Sequence, residues 1–468
     1  MSSTTDTHVT GRLVAPEIAD LLDGGAIKQA REALLSLLEP EIADVLEELE
    51  PRLRGVAFRL LPQALAAEVF AYLPLEPQEE LLHSLSSQQL SQLFQDMDPD
   101  DRAELFDEMP GDLVNRLFAL LGPEERRETQ LILGYPAESI GRIMTPNYVR
   151  VRPEWTVARA LEHIRQRGAH AETLDTLYVI DHTSRLVAEV RLHDLLLAAP
   201  EATIESLMNT NVPSLPARED QELAVSEFER YDRPVLPVVD SQGVLVGVVT
   251  FDDVADVAEE EVTEDIHKMA AVEALAEPYL NVSVPTLVRK RAVWLGVLFL
   301  GQMLTISAME SFEDELGRAA VLMLFIPLLI SSGGNTGSQA ASLIIRAMAI
   351  GEITLRDWWR ILVREFACGC MLGLLLGLIG TARVLVWQQL GWANYTEYWL
   401  LLSLTIGGAL VGIVLWGTLI GSMLPLLFRR LGVDPATSSA PFVTTIVDIS
   451  GIIIYFYTAL TILRGTLL

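Results

Sequence analysis

Arg289-Lys290-Arg291-Ala292-Val293-Trp294-Leu295-Gly296-Val297-Leu298-Phe299-Leu300 marks the place where this chain changes solvent. Three cations are followed by an apolar run that continues to Met309, long enough to cross most of a hydrocarbon layer as a helix. Beyond this point the charges balance. Residues 291–468 hold 10 acidic and 10 basic side chains, against 53 and 24 in residues 1–290. The formal charge of −29 on the 468-residue chain therefore sits entirely ahead of the first apolar run. Half of all residues are apolar, and so much apolar surface does not share one globular body with so much acid. The chain is read as multidomain, with an acidic soluble half and a membrane half. Acid in such excess repels phosphates, which excludes nucleic acid as a partner and makes metal cations the natural counter-charge. A simple soluble enzyme is excluded on the same grounds.

Further apolar runs place five spans near residues 292–309, 321–345, 360–386, 397–428 and 436–462. Arg289 to Arg291, then Arg346, Arg356, Arg360 and Arg364, then Arg429 and Arg430 mark one side of the membrane. The acidic stretch Glu310 to Glu315 and the aromatic belt Trp387, Trp392, Tyr395, Tyr398 and Trp399 mark the other. The positive-inside rule puts the N-terminus in the cytoplasm and, after five spans, the C-terminus outside. Residues 1–10 are polar and lack the apolar core of a signal peptide, so the first 290 residues are expected in the cytosol, and a bacterial inner membrane is the simplest host. Cys368 and Cys370, the two cysteines, lie inside an apolar run without histidine partners and read as small packing residues.

Two spans carry more than an anchor requires. The second contains Pro327 and then Ser331-Ser332-Gly333-Gly334-Asn335-Thr336-Gly337-Ser338-Gln339. So many glycines and hydroxyls are expected to interrupt the helix and free backbone carbonyls near Gly334, beside the amide oxygen of Asn335; the other reading is close helix packing through small residues. The fifth span opens with Asp434 as N-cap and Pro435 at the first helical position, which places Asp448 roughly 20 Å along it. An ionised carboxylate at that depth is costly and implies a function. Ala440, Thr444 and Asp448 recur every four residues and form one stripe, with Pro441 expected to loosen the helix beside it. Mg²⁺ retains most of its water and takes one or two carboxylates, so a hydrated ion between two copies of Asp448, supplied by a dimer, suits this stripe.

In the acidic half, prolines at 40, 51, 62, 74, 77, 99, 110 and 123 punctuate short helical patterns and point to an α-superhelix over residues 1–137. Residues 138–262 then show an internal duplication. Ile140-Gly141-Arg142-Ile143-Met144 answers Ile204-Glu205-Ser206-Leu207-Met208, Val179-Ile180-Asp181 answers Val238-Val239-Asp240, and Leu192-His193-Asp194 answers Phe251-Asp252-Asp253. This pattern resembles a tandem of α/β CBS domains, residues 138–200 and 201–262. Gly247-Val248-Val249-Thr250-Phe251-Asp252-Asp253 is similar to the family's ribose and phosphate signature, so Thr250 and Asp253 are the nucleotide candidates and ATP would favour the second copy. Asp252, Asp253, Asp256, Glu259, Glu260, Glu261, Glu264 and Asp265 crowd one helix, where like charges repel unless a cation neutralises them. Asp96-Met97-Asp98-Pro99-Asp100-Asp101 forms a second acidic knot, from which Asp98 and Asp101 are regulatory candidates. Residues 263–288 are expected to form a long connecting helix, and 289–468 the five-helix membrane domain.

The order superhelix, CBS pair, connecting helix and five spans resembles the MgtE-type magnesium channels over nearly the whole chain. The specific pieces are Ser332 to Gln339, Leu343-Ile344-Ile345-Arg346-Ala347, Val262-Thr263-Glu264-Asp265-Ile266-His267-Lys268, and Arg429-Arg430-Leu431-Gly432-Val433-Asp434-Pro435-Ala436. The resemblance implies a homodimer whose fifth spans line a pore, with Asp448 as the selectivity carboxylate. It implies that Asp220, Asp232, Asp253, Asp256, Glu261, Glu264 and Asp265 match positions where cytosolic Mg²⁺ bridges subdomains, closing the pore when the ion is abundant. Where some relatives carry Asn before the pore proline, this chain has Ala440. Two other readings stand beside it: transport of another divalent ion such as Co²⁺ or Mn²⁺, and a membrane-tethered nucleotide or cation sensor that transports nothing. The absence of a Walker motif argues against ATP-driven pumping.

Overall fold

The computed structural model describes residues 7–275, 279, 282–393, 395 and 397–467. They fall into two compact units, Met1–Ala258 and Glu259–Leu468.

The first unit opens with ten short helices from Thr7–Asp23 to Pro123–Leu133. Pro51, Pro99 and Pro123 occupy first helical positions, while Pro62, Pro74 and Pro110 stand one residue ahead in extended backbone. At both places the missing N–H costs nothing, because the first turn of a helix has no partner for it. The repeating unit is a pair of helices, and a polar side chain stitches each pair. Arg54, Gln78, Arg102 and Arg126, each 24 residues beyond the last, reach back to the closing carbonyls of the preceding helix. Arg102, for example, donates to Phe94 O at 2.7 Å and Met97 O at 3.1 Å, and pairs with Glu128 at 3.1 Å. Orphan carbonyls at helix ends are thus satisfied inside the stack. Phe94, Phe106 and Phe118 pack ring to ring along it.

The duplication appears as two three-stranded sheets of one design. β1 (Arg150–Val151) runs parallel to β2 (Thr176–Ile180), which pairs antiparallel with β3 (Leu186–Arg191); β4 (Leu215–Pro216), β5 (Val235–Val239) and β6 (Leu245–Thr250) repeat this, with a register shift at the same place. The two copies exchange their opening segments. Ile140 N and Gly141 N donate to Glu219 O and Ala217 O of the second copy, and Ile140 and Met144 lie in its core. Ile204 N and Glu205 N donate to Trp155 O and Pro153 O, and Ile204 and Met208 pack with the first. Neither copy closes its core without the other.

The helix after β6, Phe251–Met269, begins in the first unit and ends in the second. It does not continue to 288. It stops at Met269, the chain turns through Ala271 at φ +56°, and the next helix starts at Val284 behind a Ser283 cap; residues 276–278, 280 and 281 of the expected connector lie outside the described residues.

Among the described residues of the second unit, five helices are long and apolar enough to cross a membrane: Val284–Glu310, Ala320–Ala349, Leu355–Gln389, Trp399–Arg430 and Ala440–Leu463. Three expectations are corrected. The glycine-rich stretch of the second span does not break it, because Ile326–Ala349 is one α-helix through Ser331 to Gln339. Carbonyls freed in hydrocarbon would have no water to meet, whereas the glycines serve close packing instead. A Cβ on Gly417 of the fourth span would lie 2.5 Å from Gly333 O, and one on Gly421 only 2.1 Å from Gly337 O. Secondly, the fifth helix begins at Ala440 behind Ser439, while Asp434 caps a separate short turn, Pro435–Thr437, by accepting from Ala436 N at 2.9 Å. Asp448 is therefore eight residues into its helix, about 12 Å and not 20 Å. Thirdly, Pro441 stands in the first turn of that helix, where it loosens nothing.

Candidate ion site and acidic clusters

Asp448 is 8% exposed on the fifth span. Its Oδ2 accepts from Gln302 Nε2 of the first span at 2.9 Å, and its Oδ1 is buried with no hydrogen-bond partner among the described residues. A neutral amide, not a cation, thus holds this carboxylate. Arg383 of the third span instead lies over the Phe325 and Trp387 rings at 5.7 and 5.1 Å. One and two turns before Asp448, Thr444 and Ala440 join a small polar knot: Thr444 Oγ1 donates to Ala440 O at 2.9 Å and lies 3.1 Å from Ser338 Oγ. Gly334 is what lets Thr444 approach, since a Cβ there would meet Thr444 Cγ2 at 2.8 Å. Asn335, expected with this group, is exposed and donates within its own helix to Ser331 Oγ at 3.5 Å. Sequence reasoning missed Gln302 and Ser338. The available signal for Gln302 was a primary amide in an otherwise apolar span, which needs a partner there.

In the first unit, two acidic stretches far apart in sequence come together. Asp100 is part-buried, its Oδ1 buried and without a hydrogen-bond partner among the described residues, and burial, then the charges of Asp253 and Asp101, push its carboxyl well above the usual range. Burial and the charges of Asp98, Asp253, Asp252 and Asp256 push Asp101 up to about 7, and burial with Asp98, Asp253, Asp252 and Asp101 pushes Glu172 up to about 7. Asp98 is raised by burial against the pull of Arg102. Asp253 rises to about 6 by burial, although Thr250 Oγ1 donates to its Oδ2 at 2.5 Å. Thr250 and Asp253, the nucleotide candidates, are thus side by side. Among the described residues no three Asp, Glu, His or Cys side chains already converge as a metal cage. The arrangement is a set of part-buried and exposed carboxylates repelling one another. Asp100 and Glu172 were not singled out from sequence; Asp100 belongs to the acidic knot, while no linear signal marks Glu172.

Asp220 and Asp232 have local duties. Asp220 Oδ1 accepts from Glu222 N at 3.0 Å, starting the helix Glu222–Tyr231, and Asp232 closes that helix in the left-handed region at φ +49°. In the second unit, Lys268 Nζ lies 2.6 Å from Glu264 Oε1 and 2.7 Å from Asp434 Oδ2. Burial works against the ammonium, but the Asp434 and Glu264 bonds prevail and hold its pKa above the usual lysine range. Burial and then the charge of Asp434 raise Asp265. Glu261 lies one turn earlier on the same helix. Beside this pair Met269 packs with Ala341, Ile345, Ala436, Val443 and Val447, which seats the helix end on the second and fifth spans.

The profile of a family described as divalent cation transporter (MgtE) matches residues 326–458, that of the MgtE intracellular N domain residues 37–138, and that of the CBS domain residues 140–201 and 204–260. A protein of Thermus thermophilus named magnesium transporter MgtE is 37% identical over 455 residues, spanning 97% of this chain and 99% of its own length. The chain belongs to the MgtE family. A Bacillus subtilis magnesium transporter MgtE is 31% identical over 428 residues, covering 89% of this chain and 92% of that protein. Among solved structures, the cytosolic domain of the Mg²⁺ channel MgtE in complex with ATP is 36% identical, with a TM-score of 0.50, covering 52% of this chain and 99% of that one. The soluble part of a magnesium transporter is 25% identical at a TM-score of 0.50, covering 54% of this chain and 99% of that one. This MgtE family member is thus a multi-pass membrane protein with an N-terminal helical domain, a CBS tandem and five apolar helices. Its relatives are named as transporters, not as enzymes.

Proposed function

We propose that this MgtE family member is a Mg²⁺-selective channel for passive magnesium uptake, shut from inside by the ion it carries. The observation that carries this reading is Asp448, a buried carboxylate on an apolar span whose hydrogen-bond partner is an uncharged amide. In a homodimer the fifth spans would face one another, with Asp448, Thr444, Ala440 and Gly334 along the path of a hydrated ion and Asn335 at its margin. Entry would follow the electrochemical gradient, worth about 2.3 kcal/mol per charge per 100 mV. The N-terminus would lie in the cytoplasm of a bacterial cell and the C-terminus outside its inner membrane.

In this reading residues 1–137 and 138–262 are the sensor, 263–288 the connection and 289–468 the pore. Carboxylates held above their usual range, chiefly by burial, are what a cation would relieve, which supports Asp98, Asp101 and Asp253 as regulatory ligands in one unit, with Asp256 beside them as one of the charges acting on Asp101 and Asp253. Glu261, Glu264 and Asp265 would serve in the other, with Asp220 and Asp232 completing the set beside their helix-capping duties. Several ions must bind to reverse such repulsion, so closure should be steep in internal Mg²⁺. ATP would bind the second CBS copy at Thr250 and Asp253, a reading supported by the ATP complex of the similar cytosolic domain.

Flux into proteoliposomes tests the whole scheme, with Mg²⁺, Co²⁺ and Mn²⁺ supplied in turn and Mg²⁺ varied on the cytosolic face. Asp448→Ala should abolish Mg²⁺ uptake, and wild-type flux in that variant would remove Asp448 from the pathway. Preferred flux of Co²⁺ or Mn²⁺ would reassign the cargo, and no flux of any ion would favour a tethered sensor.

A further inference from the structure

The first span runs without a charged residue from Ala292 to Met309, and its one primary amide is Gln302. An unmatched amide in hydrocarbon costs several kcal/mol, roughly 2–7 by transfer data, so its partner is informative. That partner is Asp448 Oδ2, 2.9 Å away and 146 residues distant in sequence. The contact is built by close helix approach. A Cβ on Gly301 would fall 2.7 Å from Thr445 Cγ2, so the neighbour of Gln302 must be small for the two spans to meet there. The other carboxylate oxygen, Oδ1, is buried and unmatched among the described residues, as is the hydroxyl of Thr305 one turn along the first span.

We propose that Gln302 is a specificity-determining residue of the ion pathway: by occupying one oxygen of Asp448 it limits that carboxylate to a one-oxygen contact and so favours hydrated Mg²⁺ over Ca²⁺. This deepens the reading of Asp448 as the pore carboxylate and rests on it. Ca²⁺ accepts six to eight oxygens in loose geometry and readily takes a carboxylate through both oxygens. Mg²⁺ demands a tight octahedron, gives up its water reluctantly and needs only one oxygen to receive a bound water. A donor fixed on Oδ2 therefore costs Ca²⁺ a ligand and costs Mg²⁺ nothing. An amide suits this task because it orients the carboxylate without cancelling its charge, whereas lysine or arginine would neutralise the site.

The test compares Mg²⁺ and Ca²⁺ flux through full-length protein in proteoliposomes. Gln302→Leu, which keeps the bulk and removes the donor, should raise Ca²⁺ flux relative to Mg²⁺ about tenfold, the equivalent of one hydrogen bond to a charged group. Gln302→Met also removes the donor at similar length without adding a charge and should shift the ratio in the same direction, which keeps the idea testable if the leucine variant folds poorly. Thermal shifts in detergent give a second readout: less Ca²⁺ should be needed to stabilise either variant, with the Mg²⁺ requirement unchanged. In an Asp448→Asn background, where flux is lost, Gln302→Leu should no longer change the Ca²⁺ needed for thermal stabilisation. A wild-type ratio in both single variants, or equal changes for both ions, overturns the proposal while leaving the pore reading intact. Wild-type flux in Asp448→Ala overturns the pore reading itself.

Discussion

Replacing Asp101 with Asn is expected to stabilise the Mg²⁺-free protein and blunt its response to Mg²⁺. In the folded chain the Asp101 carboxyl is pushed up to about 7 from an ordinary 3.8, first by burial and then by Asp98, Asp253, Asp252 and Asp256. Between those two pH values the folded state keeps a proton that the unfolded state has released. Stability therefore falls as pH rises through this window, and the full penalty remains above it. At about 1.36 kcal/mol per pH unit, the three units between them amount to roughly 4 kcal/mol, an upper figure because Asp100, Asp253 and Glu172 titrate with it. Asn cannot ionise and escapes this cost. Thermal unfolding of full-length protein in detergent with EDTA should give a midpoint several degrees higher for the variant at pH 8, with the gap closing towards pH 5. Added Mg²⁺ should stabilise the wild type by about 2.7 kcal/mol at 100 times its dissociation constant, and the variant by clearly less. A variant less stable than wild type at pH 8, with an undiminished Mg²⁺ shift, would refute the idea that Asp101 is an uncompensated, part-buried charge awaiting a cation.

Gly421→Ala would place a methyl 2.1 Å from Gly337 O and should destabilise the membrane unit by about 1–3 kcal/mol, whereas Gly296→Ala, with open space around it, should be neutral; unfolding midpoints in detergent separate the two. Lys268→Met leaves Glu264 and Asp434 without their shared counter-charge, so uptake should persist at internal Mg²⁺ concentrations that stop the wild type. An identical closing curve would show that this ion pair takes no part in gating. Thr250→Val removes the hydroxyl bonded to Asp253 and should weaken ATP binding about tenfold by calorimetry, while unchanged affinity would move the nucleotide elsewhere.

Much of this protein is written along the chain. Run length and hydrophobicity set the spans within five residues at every end but one, the first helix starting at Val284 instead of 292, because transfer free energy is a sum over consecutive side chains. The CBS duplication and the proline-punctuated helices are equally legible, since turn and helix-start chemistry is local. The confinement of acid to residues 1–290 needs only counting. Other decisions belong to three dimensions. Glycines at 333 and 337 read as breaks in sequence but act as contact points, because their value depends on the backbone of a fourth-span helix some 80 residues later. Asp434 reads as the cap of the fifth span, yet it caps a separate turn and shares Lys268 with Glu264. The exchange of opening segments between CBS copies, the meeting of Asp100, Glu172 and Asp253, and the choice of Asp448 as the partner of Gln302 leave no trace in local composition. Hydrophobic burial adds up residue by residue and can be read in order. The state of a buried polar group depends instead on which particular atom lies within 3 Å of it, and only the packed chain decides that.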